Sequence, residues 1–300
     1  MISALSHVEL NKRIEAAYKL LEACRVCPRA CGVNRLKDDK LGFCRSGLNP
    51  IISSVGPHHG EEPPLSGRKG SGTIFLTNCS LRCVYCQNFP ISQMGNGVER
   101  TPGELACQML SLQDAGCHNL NLVTPTHFMP QILKAIGIAR ERDFNLPIVY
   151  NTSGYESVEA LRLLDEIVDI YLPDMRYSDN AVAMKYSLAP HYVEHNRAAI
   201  REMYQQVGNL VLDEQGIAKK GLIIRHLVLP NGLSGTEGVM KFLAEEISKD
   251  VYISLMSQYF PAHKTAEFPE INRRITSDEY EEAYQIMRKH GLENGWVQEI

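Results

Sequence analysis

Six short apolar runs recur along the chain, TIFLT, LNLVT, PIVYNT, VDIYLP, LIIRHLVL and VYISLMS, and most are separated by stretches long enough for a helix. Strands joined by such crossovers lie parallel, because a tight hairpin joins only antiparallel neighbours. Gly103–Gly116, Met129–Arg142, Ser157–Asp165, Asn180–Gln206 and Thr236–Lys249 have the helical period and Ser, Thr, Asn or Gly boundaries. Polar residues follow almost every apolar run, which favours a curved sheet over a doubly wound one, since barrels collect functional groups at the C-terminal ends of their strands. The expectation is an α/β fold, a partial (β/α)6 TIM-like barrel over 73–300, closed by a helix at Ser277–His290 with Gly291 as its C-terminal cap. Residues 9–24 also have helical spacing. The Gly-, Pro- and Cys-rich stretch Cys24–Gly72 lacks regular periodicity, so 1–72 reads as a helical and cysteine-rich cap wrapped on the barrel.

Of the 300 residues, 44% are hydrophobic and 22% charged, and the net charge of −4 gives no basic footprint for nucleic acid. No run approaches membrane-spanning length, and the charged amphipathic start MISALSHVELNKRIEAAYKLLEAC lacks the features of a secretory signal. The nine cysteines are therefore expected in a reducing cytoplasm, where grouped cysteines point to metal or redox chemistry rather than to disulfides.

The strongest local signal is TNCSLRCVYCQN, directly after the first strand, which sets Cys79, Cys83 and Cys86 in one loop. A cubane iron–sulfur cluster usually takes four thiolates, so three local ligands would leave one iron open to a chelating amine and carboxylate. A zinc site, or three unmetallated thiols, is the alternative that spacing alone allows.

This loop, with Tyr85 just before the third cysteine, resembles the hallmark of the radical SAM superfamily, whose members use S-adenosylmethionine (SAM). More narrowly, GEEPPLSGRKGSGTIFLTNCSLRCVYCQN resembles the group related to pyruvate formate-lyase activating enzymes, and the likeness runs through most of the chain. Asn78 stands where many relatives have Gly. The resemblance implies a barrel of the radical SAM type and a [4Fe-4S] cluster held by Cys79, Cys83 and Cys86. It implies an oxidoreductase in which one electron passes to bound SAM, giving methionine and a 5′-deoxyadenosyl radical that abstracts hydrogen from a substrate. A donor such as flavodoxin or ferredoxin is implied, as is a glycyl-radical enzyme as protein substrate, with a small molecule or another protein as the alternative target.

By position, Thr124 and Thr126 in VTPTHF resemble the loop that binds the methionyl amine, although the Gly-Gly-Glu form is absent and the prolines also suit a turn with Thr126 as a helix cap. Asn151 and Ser153 in YNTSGY resemble the Asp-Thr-Asn-Gly segment of the activating enzymes, or else form an Asx- or Ser-type turn. Asp174, after VDIYLP, stands where relatives have an acidic residue. Alternation in IIRHLVLPN sends Arg225 and His226 to opposite faces, and the resemblance favours Arg225 beside SAM, where charge-assisted bonds are strong. Gln258, Tyr259 and His263 are candidates for the substrate end. Tyr85 joins the cofactor-binding candidates as the cluster loop's aromatic residue.

Cys24, Cys27, Cys31 and Cys44 form a second group within CRVCPRACGVNRLKDDKLGFC, the number that closes a tetrahedral site. Zinc and a second iron–sulfur cluster both fit, and four unmetallated thiols are the alternative. Cys107 and Cys117 sit singly and read as small hydrophobes, and PHHGEEPP reads as a rigid surface loop near the cluster rather than a metal site. Two rivals without catalysis remain, a zinc-binding module using both cysteine groups and an iron–sulfur electron carrier indifferent to SAM.

Overall fold

The computed structural model describes residues 5–37 and 42–299. Its sheet is built from β1 (Ile51–His58), β2 (Ser71–Leu76), β3 (Val98–Glu99), β4 (Leu120–Val123), β5 (Ile148–Thr152), β6 (Ile170–Pro173), β7 (Val211–Leu212), β8 (Ala218–Leu227), β9 (Tyr252–Met256) and β10 (Gly295–Val297). The six expected strands are β2, β4, β5, β6, β8 and β9, parallel and adjacent in that order. The fold is the expected partial (β/α)6 barrel. It stays open, with β1 and β3 beyond β2 on one side and β10 beyond β9 on the other.

The central strands read as unbroken apolar runs because helices cover their outer face and side chains fill the inner one. All five residues of β5 are buried, as are all four of β6. The longer helices are α1 (His7–Lys19), α2 (Pro102–Asp114), α3 (Met129–Arg140), α4 (Val158–Arg162), α5 (Asn180–Ser187), α6 (Tyr192–Val207), α7 (Thr236–Phe242) and α8 (Ser277–Lys289). Their apolar faces pack on the sheet in one large core, while the aromatic residues Tyr85, Tyr155, Tyr177, Tyr186, Tyr192 and Tyr259 build a second core around the cysteine loop.

Two departures from the sequence expectation have clear causes. The single helix expected over Asn180–Gln206 is two, because Leu188 and His191 take left-handed backbone (φ 49° and 52°) on either side of Pro190. Proline lacks the N–H a helix needs and disfavours helical backbone in the residue before it. Asp179 caps α5 by accepting from the backbone N–H groups of Ala181 and Val182. The second departure is β1, which lies inside the stretch read as irregular and runs antiparallel to β2. Its burial does not alternate cleanly and it carries Gly56 and Pro57, so periodicity does not reveal it.

Candidate metal centre

The cysteine loop leaves the C-terminal end of β2 through Asn78, whose φ of 65° is left-handed. Asparagine is the residue after glycine that tolerates this region best, so the chain turns here without Gly. Cys79 and Cys83 are buried and Cys86 is half-buried. Each sulfur has hydrogen-bond partners: the Leu81 N–H donates to Cys79 Sγ at 3.3 Å, Ser187 Oγ to Cys83 Sγ at 3.1 Å, Arg176 Nη1 to Cys83 Sγ at 3.3 Å, and Ser92 Oγ lies 3.0 Å from Cys86 Sγ. Burial pushes the Cys79 thiol up to about 12 and raises that of Cys86. At these two thiols burial disfavours the free thiolate, and a metal that binds the sulfur releases the proton.

These thiols line a cavity of about 360 Å³ at the C-terminal mouth of the barrel, shared with Thr124, Asn151, Ser153, Asp174 and Arg225. Across the mouth, Arg225 donates from Nε to Asp174 Oδ1 (2.8 Å) and from Nη2 to Asn151 Oδ1 (2.7 Å). Arg176 Nη2 donates to Asp174 Oδ2 at 2.5 Å. Burial alone would raise the Asp174 carboxyl, but the two guanidiniums outweigh it and hold the group below its ordinary range. Ser153 Oγ is buried with no hydrogen-bond partner, a polar atom awaiting one.

Not every candidate reaches this cavity. The Thr126 hydroxyl faces Thr152 and the Glu156 carboxylate, so Thr126 packs behind the wall rather than in it. Tyr85 is buried, pairs its hydroxyl with that of Tyr177 at 2.5 Å, and borders a smaller adjoining cavity of about 170 Å³. His226 turns away as alternation requires, its ring held by the Met175 carbonyl and Thr236 Oγ1. Gln258 lines both cavities, whereas Tyr259 donates to the Ile271 carbonyl and His263 stacks on Phe89.

Residues 73–212 match the radical SAM superfamily. Over 294 residues the chain is 32% identical to the uncharacterized protein MJ0674 of Methanocaldococcus jannaschii, covering 95% of this chain and 80% of that protein. The chain belongs to the radical SAM superfamily. A second uncharacterized protein of the same archaeon, MJ0808, is 25% identical over 82% of this chain and 73% of its own length. Among solved structures, the FeFe-hydrogenase maturase HydG of Carboxydothermus hydrogenoformans overlaps 73% of this chain and 50% of its own, with 13% identity and a TM-score of 0.47. A domain of pyruvate-formate lyase-activating enzyme from Bacteroides vulgatus overlaps 66% of this chain and 91% of its own, at 15% identity and a TM-score of 0.36. Such loose overlaps add nothing to the strand order.

A radical SAM protein holds a [4Fe-4S] cluster and SAM, and the residues here suit both. Among the described residues no three His, Cys, Asp or Glu side chains gather around a point for one metal ion. A cubane is ligated at separate irons, so its thiolates stand wider apart than those of a single ion. Donors reach all three sulfurs, as cluster ligands require, and the cavity adds polar and charged groups suited to an amino-acid moiety.

Sequence reasoning missed Arg176 and Glu61. Arg176 lies two residues beyond Asp174, outside the strand-end motif, with only tertiary contacts to mark it. Glu61 belongs to the loop read as solvated, yet with His58 and Gly60 it lines the cavity. Burial, opposed by Arg225, pushes its carboxyl up to about 7. In the second cysteine group, Cys24, Cys27 and Cys44 are buried and Cys31 exposed, and burial and then the three neighbouring thiols raise that of Cys27. Cys117 is a buried hydrophobe as expected; Cys107 is exposed. No helix among the described residues is long and apolar enough to cross a membrane.

Proposed function

We propose that Cys79, Cys83 and Cys86 ligate the [4Fe-4S] cluster, that Thr124, Asn151, Ser153, Asp174 and Arg225 receive SAM beside it, and that the enzyme abstracts hydrogen from a substrate entering the same mouth. The observation that carries this reading is the single cavity in which the three thiols face the Asp174–Arg225–Asn151 network. When bound, the cluster and SAM supply one electron and the means to abstract a hydrogen atom. The chain's own work is positioning: Arg225 presents a guanidinium to a carboxylate, Asn151 and Ser153 offer polar atoms to an amine or hydroxyl, and the tyrosine core behind the loop excludes water.

As target we infer a backbone glycine of a partner protein, by the resemblance to activating enzymes, with electrons from a flavodoxin- or ferredoxin-type donor. Incubation with a glycyl-radical protein, SAM and reductant should raise a glycyl radical signal. SAM cleavage without that signal redirects the search to small molecules. Cys24, Cys27, Cys31 and Cys44 are proposed to hold a second metal, supported by three free thiols near enough to Cys27 to raise its own, although these side chains do not close on one point. Metal analysis should give iron or zinc beyond four atoms per chain, lost in Cys27→Ala; four irons alone would remove this site.

The central test is electron paramagnetic resonance of the anaerobically reconstituted, reduced protein with and without SAM. A cubane signal that changes with SAM and is absent in Cys79→Ala supports the assignment. A signal indifferent to SAM, or SAM cleavage retained by Cys79→Ala, ends it.

A further inference from the structure

Cys83 differs from the other two loop cysteines. Its sulfur takes two side-chain hydrogen bonds, one from neutral Ser187 Oγ (3.1 Å) and one from the charged Arg176 Nη1 (3.3 Å). Among the described residues the one carboxylate that holds Arg176 is Asp174, to which Nη2 donates at 2.5 Å, and Nε is buried without a partner there. Asp174 in turn shares its other oxygen with Arg225 Nε at 2.8 Å. One planar guanidinium therefore spans a cluster sulfur and the carboxylate at the centre of the cofactor network, and its two ends move together because the fork is rigid.

Resting on the assignment of Cys83 as a cluster ligand, we propose that Arg176 is a positioning residue that couples occupation of the cavity beside Asp174 and Arg225 to the reduction potential of the cluster. A cationic donor to a ligand sulfur stabilises the more negative, reduced cluster, and hydrogen bonds to sulfur are a main determinant of cluster potential. A ligand that draws on Arg225 or Asp174 changes the hold on Arg176 Nη2 and, through the same plane, the contact of Nη1 with Cys83. The neighbouring Ser187 touches the sulfur without touching Asp174, so it contributes to the potential but not to the coupling.

The test is the cluster's midpoint potential, followed by electron paramagnetic resonance with and without SAM, in the intact protein and in Arg176→Gln, with iron content checked. Arg176→Gln is expected to lower the reduced-to-oxidised ratio at a fixed potential about tenfold, about 59 mV for a one-electron couple. It should also lose the SAM-induced shift of midpoint while still binding SAM by equilibrium dialysis. Ser187→Ala should lower the midpoint yet keep the SAM-induced shift. If Arg176→Gln fails to retain four irons, Arg176→Lys carries the test: it keeps the charge but cannot span both partners, so the midpoint stays near that of the intact protein and the SAM-induced shift is lost. A full SAM-induced shift in Arg176→Gln or in Arg176→Lys, whatever the midpoint, overturns the proposal. An intact protein whose cluster signal ignores SAM overturns the radical SAM assignment of the site itself, and this inference with it.

Discussion

At Asn78 the chain turns into the cysteine loop through a left-handed backbone. The left-handed φ costs most L-residues about 1–2 kcal/mol, and Asn is among those that lose least. Asn78→Gly should leave the urea midpoint nearly unchanged, while Asn78→Val should lower stability by about 2 kcal/mol in the same measurement. Glu156 is a second residue whose environment sets its chemistry. It is fully buried below the cavity wall, and burial, offset by donors from Thr126 and Thr152, pushes its carboxyl from an ordinary 4.5 up to about 7. A raised folded value favours the protonated form, so this group's contribution to stability is complete below about pH 4.5 and is lost as pH rises through about 7. A shift of that size corresponds to about 3 kcal/mol. Glu156→Gln should flatten the stability-against-pH curve in that window, as followed by urea unfolding from pH 4.5 to 8. The role of Glu156 is not readable from its identity. Asn78 matters through a dihedral, and Glu156 through the depth at which the α4 approach leaves it.

At the scale of the element, local rules served well where the signal was local. Thr101 and Glu104 form a reciprocal cap on α2, each side chain bonding the other's backbone N–H, with Pro102 at the first helical position. Thr101→Ala should cost about 1 kcal/mol in urea unfolding without changing cluster loading, because α2 packs on the outer face, away from the mouth. The α5–α6 break and β1 are the counter-examples. The helical period continues through Ser187–Tyr192, but Pro190 and the two left-handed residues interrupt the backbone, and the kink lets Ser187 reach Cys83. β1 is held by its ladder with β2 and not by its own pattern, so only the pairing reveals it.

For the whole molecule, the N-terminal segment docks on the barrel through the apolar face of α1, through Arg13 and Arg29, and through the buried Arg35. Arg35 donates from Nη1 to the His127 carbonyl at 2.6 Å and from Nη2 to the Gly47 carbonyl at 2.9 Å, and it stands over the Phe128 ring. Arg35→Ala leaves both carbonyls unpaired and should destabilise the protein by about 3 kcal/mol. In the metal-free chain Cys24 and Cys27 should then label faster with a thiol reagent, with exposed Cys107 as the unchanged reference; equal labelling in both proteins would separate Arg35 from the docking of the cysteine segment. By itself the sequence determined the number and order of the parallel strands, the three-cysteine loop and the opposite faces of Arg225 and His226, because hydrophobic period, cysteine spacing and strand alternation are written in neighbouring residues. Only the tertiary structure decided that Thr126 lies behind the cavity wall, that Tyr85 borders the smaller adjoining cavity, that Glu61 lines the main one, and that Arg176 joins Cys83 to Asp174. Those depend on distances between residues far apart in the chain, which folding sets and no local pattern encodes.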